Sequence, residues 1–227
     1  MDMRRRELIT LIGCAAPWPL ARAQPAARKG TSDSRDGVAS SEWEIGPIIN
    51  GRQYSVGMPT LPTPDGEGFW FDFPKAQKGL DRWSTPGPHY MTKPTSGISG
   101  SKIKLVYEIT GDGQFFGSTG NQSPFVYLCA FFQRAGDNWS GADAFEAHRW
   151  WSAKMFPLKA GKHEVEVPLA REDWLSVYNR GTEAQFADAL RKASSIGVTF
   201  GNDEGRGHGV SSPTGGSSFR LTSFAVV

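Results

Sequence analysis

Short runs of alternating apolar and polar residues, set apart by Gly, Pro, Asn and Asp, dominate the chain from Trp43 to Val227. Alternation with period two sends successive side chains to opposite faces, so each run reads as a half-buried strand. Ser101–Thr110 is the clearest, with Ile103, Leu105, Tyr107 and Ile109 on one face and Lys102, Lys104 and Glu108 on the other. Phe69, Phe71 and Phe73 likewise oppose Trp70 and Asp72. In His163–Leu169, Val165 and Val167 point inward and Glu164 and Glu166 outward. Trp43–Ile49 is a further strand, closed by Asn50-Gly51, a strong hairpin signal. Phe125–Phe132 is apolar throughout, which predicts a strand covered on both faces.

After a loop from Arg134 to Ala147, Arg149–Leu158 is expected as a strand. Its alternation puts Trp151, Ala153 and Met155 on one side and Trp150, Ser152 and Lys154 on the other. Two closing strands, Ile196–Phe200 and Ser218–Val227, flank a long Gly- and Ser-rich loop taken as the rim of the fold. Only Thr182–Lys192 predicts a helix, with Thr182 as N-cap and Phe186, Ala189 and Leu190 on one face. Many strands with regular turns and one short helix imply a single all-β domain, an antiparallel sandwich over residues 42–227.

The first residues change the picture of charge and compartment. Met1–Ala23 carries basic Arg4, Arg5 and Arg6, a short apolar stretch, and Ala21-Arg22-Ala23, an export cleavage site before Gln24. Arg5-Arg6-Glu7-Leu8-Ile9 resembles the twin-arginine leaders of bacterial exported proteins, which implies a periplasmic or secreted product. Leu11-Ile12-Gly13-Cys14 also fits a lipobox, so lipidation at Cys14 stays open as an alternative. Residues 24–41 contain almost no large apolar side chain and read as a disordered linker. No other segment approaches the roughly 18 apolar residues of a membrane span.

Removing the leader takes four arginines and two acids from 25 basic and 23 acidic residues, leaving 21 of each. A formally neutral body lacks the electrostatic footprint of a nucleic-acid binder. Cys129 is then the one remaining cysteine, too few for an internal disulfide, and its apolar surroundings mark it as a small core residue.

Candidate chemistry centres on aromatic residues beside polar ones. Sugar rings pack their C–H faces on indoles while their hydroxyls take planar polar partners. Trp150, Ser152 and Lys154 on one strand face, with Asp137, Asn138 and Trp139 from the preceding loop, form that combination. In the late loop, Arg206 and His208 could reach a ligand at the rim, and Arg suits an acidic sugar. Asn202, Asp203 and Glu204 carry oxygens fit for calcium, or form a solvated, self-paired loop. Gly205-x-Gly207-x-Gly209 lacks the spacing and the following helix of a phosphate cradle. Glu164 and Glu166 sit about 7 Å apart on a strand face, a separation open to glycosidic hydrolysis, although their alternation with valine reads as an ordinary solvent face. His89, His148, His163 and His208 show no metal-ligand spacing, and no G-x-S-x-G elbow frames a nucleophile.

The strand order, GDNWSG at Gly136–Gly141, RWW at Arg149–Trp151 and the closing FG…GHGV…SFRL give the body from Trp43 a resemblance to jelly-roll, galactose-binding-like sandwiches. That class contains many carbohydrate-binding modules. The resemblance implies a jelly-roll-like fold, a glycan or polysaccharide ligand held on a strand face or by loops, and a possible structural calcium at Asp203 and Glu204. The sequence therefore leads to an exported, non-catalytic carbohydrate-binding sandwich. A jelly-roll polysaccharide hydrolase or lyase and an envelope structural or protein-interaction module are the alternatives.

Overall fold

The computed structural model describes residues 38–76, 87–117, 125–202 and 205–227. The expected leader and most of the expected linker lie outside them. The last residues of that expected linker do not: Val38 packs against the core and Ser40–Glu42 forms a 3-10 turn.

The principal strands are β1 (Glu44–Gly46), β2 (Phe69–Asp72), β3 (His89–Pro94), β4 (Lys102–Thr110), β5 (Val126–Arg134), β6 (Arg149–Ser152), β7 (Gly161–Pro168), β8 (Trp174–Ser176), β9 (Ala193–Asn202) and β10 (Ser218–Val226). They form two sheets, ordered β1-β3-β9-β5-β6-β8 and β7-β4-β10-β2, with Thr63–Pro64 added beyond β2. All pairings between these strands are antiparallel. This is the all-β sandwich expected from the alternation.

The inner faces meet through aromatic rings. Phe71 and Phe219 stack across β2 and β10 at 5.3 Å, and Phe200 of the facing sheet closes on Phe71 and Phe73 edge-on. Trp43 fills one end against Phe69 and Phe224. Burying one such ring contributes about 1.5–3 kcal/mol, so these clusters set the sheet spacing. The helix α1 (Glu183–Arg191) starts at a complete capping box, with Thr182 and Gln185 bonding each other's backbone. It drives Phe186 between Trp150 and Phe132, at 5.0 and 5.7 Å.

Several expectations hold at the level of single residues. Ile103, Leu105, Tyr107 and Ile109 are buried, as are Phe69, Phe71 and Phe73. Asn50 and Gly51, both at positive φ, join Ile48–Ile49 to Arg52–Gln53 as a hairpin. β5 is buried on both faces from Val126 to Phe132, although Phe125 itself is 67 % exposed.

The faces of β6 are the reverse of what a surface-facing Trp150 requires. Trp150 lies opposite Phe132 of β5 and Ser176 of β8, and directly opposed residues share a face. Phe132 faces the core, so Trp150 does too, at 0 % exposure, while Trp151 turns to the outer face. Tandem aromatics on both strands left the parity of the alternation undetermined. The strand also ends at Ser152, and only Phe156–Pro157 rejoins β5 further along.

At Gly197, in the middle of β9, a Cβ would collide with the Met91 carbonyl oxygen of the neighbouring strand. Gly197→Ala is expected to cost about 3 kcal/mol, because two central strands must separate. Urea unfolding beside Ser194→Ala, an exposed position of the same strand expected within about 0.5 kcal/mol of the parent, measures it.

Candidate functional site

Because β5 is apolar on both faces, its outward side chains Tyr127, Cys129 and Phe131 need a second cover. Tyr90 of β3 and Trp151 of β6 join them in a separate buried cluster, with Trp139 and Val177 packed against it. Burial pushes the Tyr90 hydroxyl up to about 12 and the Cys129 thiol up to about 11. Neither is suited to proton transfer or nucleophilic attack near neutral pH.

Two loops close over this cluster. In the first, the Asp137 carboxylate accepts from the Gln133 side chain at 2.6 Å and from the Trp139 backbone N–H at 3.2 Å. It also faces Arg149 at 3.2 Å, an ion pair with side chains only 1 % and 10 % exposed. Arg149 donates to the Ser140 carbonyl and places its guanidinium 5.3 Å from the Trp139 ring centre. Trp139 stands edge-on to Tyr90 at 5.2 Å. Its φ is 65°, a left-handed conformation that strains a bulky residue.

The rim beside this loop repeats the feature. Tyr178 and Asn179 take φ values of 57° and 54° in succession. Tyr178 is 68 % exposed, and Arg180 lies 5.4 Å from its ring centre. Val177 packs on the same cluster as Trp139, and the Tyr178 hydroxyl lies against Gly141. Two aromatic side chains on strained backbone thus border one face of the sheet.

The second loop, residues 205–209, is pinned across Tyr90. His89 N–H donates to the Gly207 carbonyl at 3.0 Å, and Gly209 N–H to Phe200 at 2.9 Å. Gly207 has φ 77°, and a Cβ there would strike the Tyr90 hydroxyl and Thr199 Oγ1. Arg206 Nη2 reaches the Ala153 carbonyl at 3.5 Å, and its buried Nε has no hydrogen-bond partner among the described residues. The exposed His208 ring rests on Gly205, and desolvation there holds it below its ordinary value.

The structure therefore gathers Asp137, Trp139, Arg206 and His208, with exposed Asn138, over one sheet face. Asp137 acts there as a buried anchor. Trp150 and Ser152 do not join them: Trp150 is core, and Ser152 Oγ donates to the Lys154 carbonyl at 2.7 Å and accepts from Ala130 N–H at 3.1 Å. Lys154 is exposed and lies over Phe156. Asp203 and Glu204, the calcium candidates, lie outside the described residues. Asn202 is fully buried, and its carbonyl accepts from the Tyr127 hydroxyl. Among the described residues, no three His, Cys, Asp or Glu side chains cluster closely enough to hold a metal. Arg149 and Tyr178 are not among the residues that the sequence singles out for binding.

Elsewhere, Glu166 bonds Lys102 and Lys104, each at 2.7 Å. His89, by contrast, is structural, its Nδ1 accepting from Val210 N–H at 3.2 Å. Among the described residues no helix is long and apolar enough to cross a membrane. No family model, curated protein or solved structure matches this chain.

Two measurements probe these assignments. Asp137→Ala strands the Arg149 charge and is expected to cost about 3 kcal/mol in urea unfolding, part of it restored by adding Arg149→Met. Hydrogen bonds from Lys102 and Lys104 hold Glu166 down from 4.5 to about 2. Its stabilising contribution is present above its unfolded value and is lost as pH falls through the folded one. The Tm gap between the parent and Glu166→Gln should thus be largest above pH ~5 and close toward pH ~2 in a thermal melt series.

Proposed function

We propose that this protein is an exported, non-catalytic carbohydrate-binding sandwich that stacks a glycan on Trp139 and Tyr178. Three non-glycine residues at positive φ, two of them aromatic and all at one rim, carry this reading. Each such conformation costs on the order of 1–3 kcal/mol and persists where surrounding structure holds it, typically at ligand sites. Here the buried Asp137–Arg149 pair supplies the hold at Trp139. Asn138, Arg180 and Arg206 border the aromatic faces with donors and acceptors for sugar hydroxyls or a sugar carboxylate.

The leader motif supports a periplasmic or secreted setting, and the near-equal charges of the remaining chain favour a glycan over a nucleic acid. A non-catalytic role fits the ties of Glu166 to two lysines, which occupy one member of the carboxylate pair.

Affinity electrophoresis in gels cast with neutral and uronate-bearing polysaccharides tests the reading. The protein should be retarded by at least one of them. Trp139→Ala and Tyr178→Ala should each weaken retention about tenfold, with Glu164→Gln unchanged. Equal retention in both aromatic variants would remove this site, and free migration through every gel would remove the function.

A further inference from the structure

The opposite sheet carries a cleft that the alternation of β2 opens to solvent. Phe69, Phe71 and Phe73 face the core, which leaves Trp70 half-buried and Asp72 exposed on the outer face. A cavity of about 390 Å³ lies over them, bordered by Gly57 and Pro59 on one side and by Thr63, Lys75 and Thr214 on others. That volume falls within the range of small-ligand sites, about 300–1,000 Å³.

The indole is held in place from both sides. Trp70 lies directly opposite Thr63 on one neighbouring strand and Arg220 on the other. Arg220 is itself fixed by Asp65, by Glu67 at 3.6 Å and by Glu108 at 3.9 Å. The polar groups around the ring are built in as well. Asp72 Oδ1 accepts from Ser218 Oγ at 2.6 Å, and a carboxylate keeps further acceptor sites beyond one such bond. Thr214 Oγ1 donates to Asp112 at 2.7 Å and accepts from Gly216 N–H at 3.0 Å, which fixes it at the edge of the cleft. Lys75 is exposed and tied through its backbone to Ser212, and its stem lies against Gly215.

We infer that this cleft is a second binding site, for a short neutral oligosaccharide. Trp70 supplies the face on which a pyranose ring packs its C–H groups. Asp72 accepts from one hydroxyl, and the Lys75 ammonium donates to the next. An ammonium and a carboxylate on one cleft match hydroxyls, each both donor and acceptor, better than they match an anion. The site shares no residue with the Trp139 face, so either can fail without the other.

The test uses the full chain and hexasaccharides of β-1,4-glucan, α-1,4-glucan and β-1,4-mannan. Binding is read from the 1H–15N spectrum at the Trp70 indole N–H and the Thr214 and Gly215 amides, with the indole signal assigned through Trp70→Phe. At least one probe should shift these signals. Thr63→Trp, which fills the cleft from an exposed edge position and leaves Trp70 in place, should weaken the effect about tenfold, and Trp139→Ala should leave it unchanged. Silence at these signals with all three probes overturns the inference. So do shifts that survive Thr63→Trp or vanish in Trp139→Ala. Either result leaves the gel retention by Trp139 and Tyr178 standing or falling by its own variants.

Discussion

The strand Val126–Arg134 presents apolar side chains on both faces, and each face has to be kept from water. Leu128, Ala130 and Phe132 join the main core, where Phe186 of α1 packs on Phe132. Tyr127, Cys129 and Phe131 have no sheet to meet and are covered instead by loops. A loop that seals a sheet must bring side chains inward while its own backbone groups find partners. That demand accounts for the two loops' dense hydrogen bonding and for their convergence on Tyr90.

The buried ion pair follows from the same requirement. Asp137 and Arg149 leave water together, an arrangement that stabilises only when both are well bonded. Asp137 bonds the Trp139 and Gln133 nitrogens through Oδ2, and Arg149 bonds Ser140 and lies beneath the indole, while Asp137 Oδ1 and Arg149 Nε have no hydrogen-bond partner among the described residues. The pair thereby converts a covering loop into a rigid support for Trp139, whose left-handed backbone would relax if it were unsupported. Tyr178 is presented from the far side through Val177, which shares the aromatic cluster. The two outer faces of the sandwich are built differently: one is an aromatic rim over loops, the other an open strand surface around Trp70.

Much of the architecture was legible because period-two alternation is a local signal. It located the inward faces of β2, β4 and β7, and the cap and apolar stripe of α1 were equally local. The candidate site was legible only where the loop texture itself was informative, at Asp137–Trp139 and Arg206–His208. It failed at β6, where Trp150 and Trp151 are adjacent and Phe131 and Phe132 face them in tandem. With apolar side chains on both faces, a one-residue choice of parity has no local cost, and pairing with β5 and β8 decides it.

Sequence by itself determined the fold class, the helix and most of the strands, because alternation, turn residues and capping act within a few positions. It did not mark β3, whose first residue His89 reads as part of a loop. Tertiary structure decided which indole of the Trp150–Trp151 pair faces the core, that Asp137 is an anchor, and that Tyr178 stands by Trp139. These depend on strands and loops far apart in the chain meeting over one doubly apolar strand. No short window of residues carries that information.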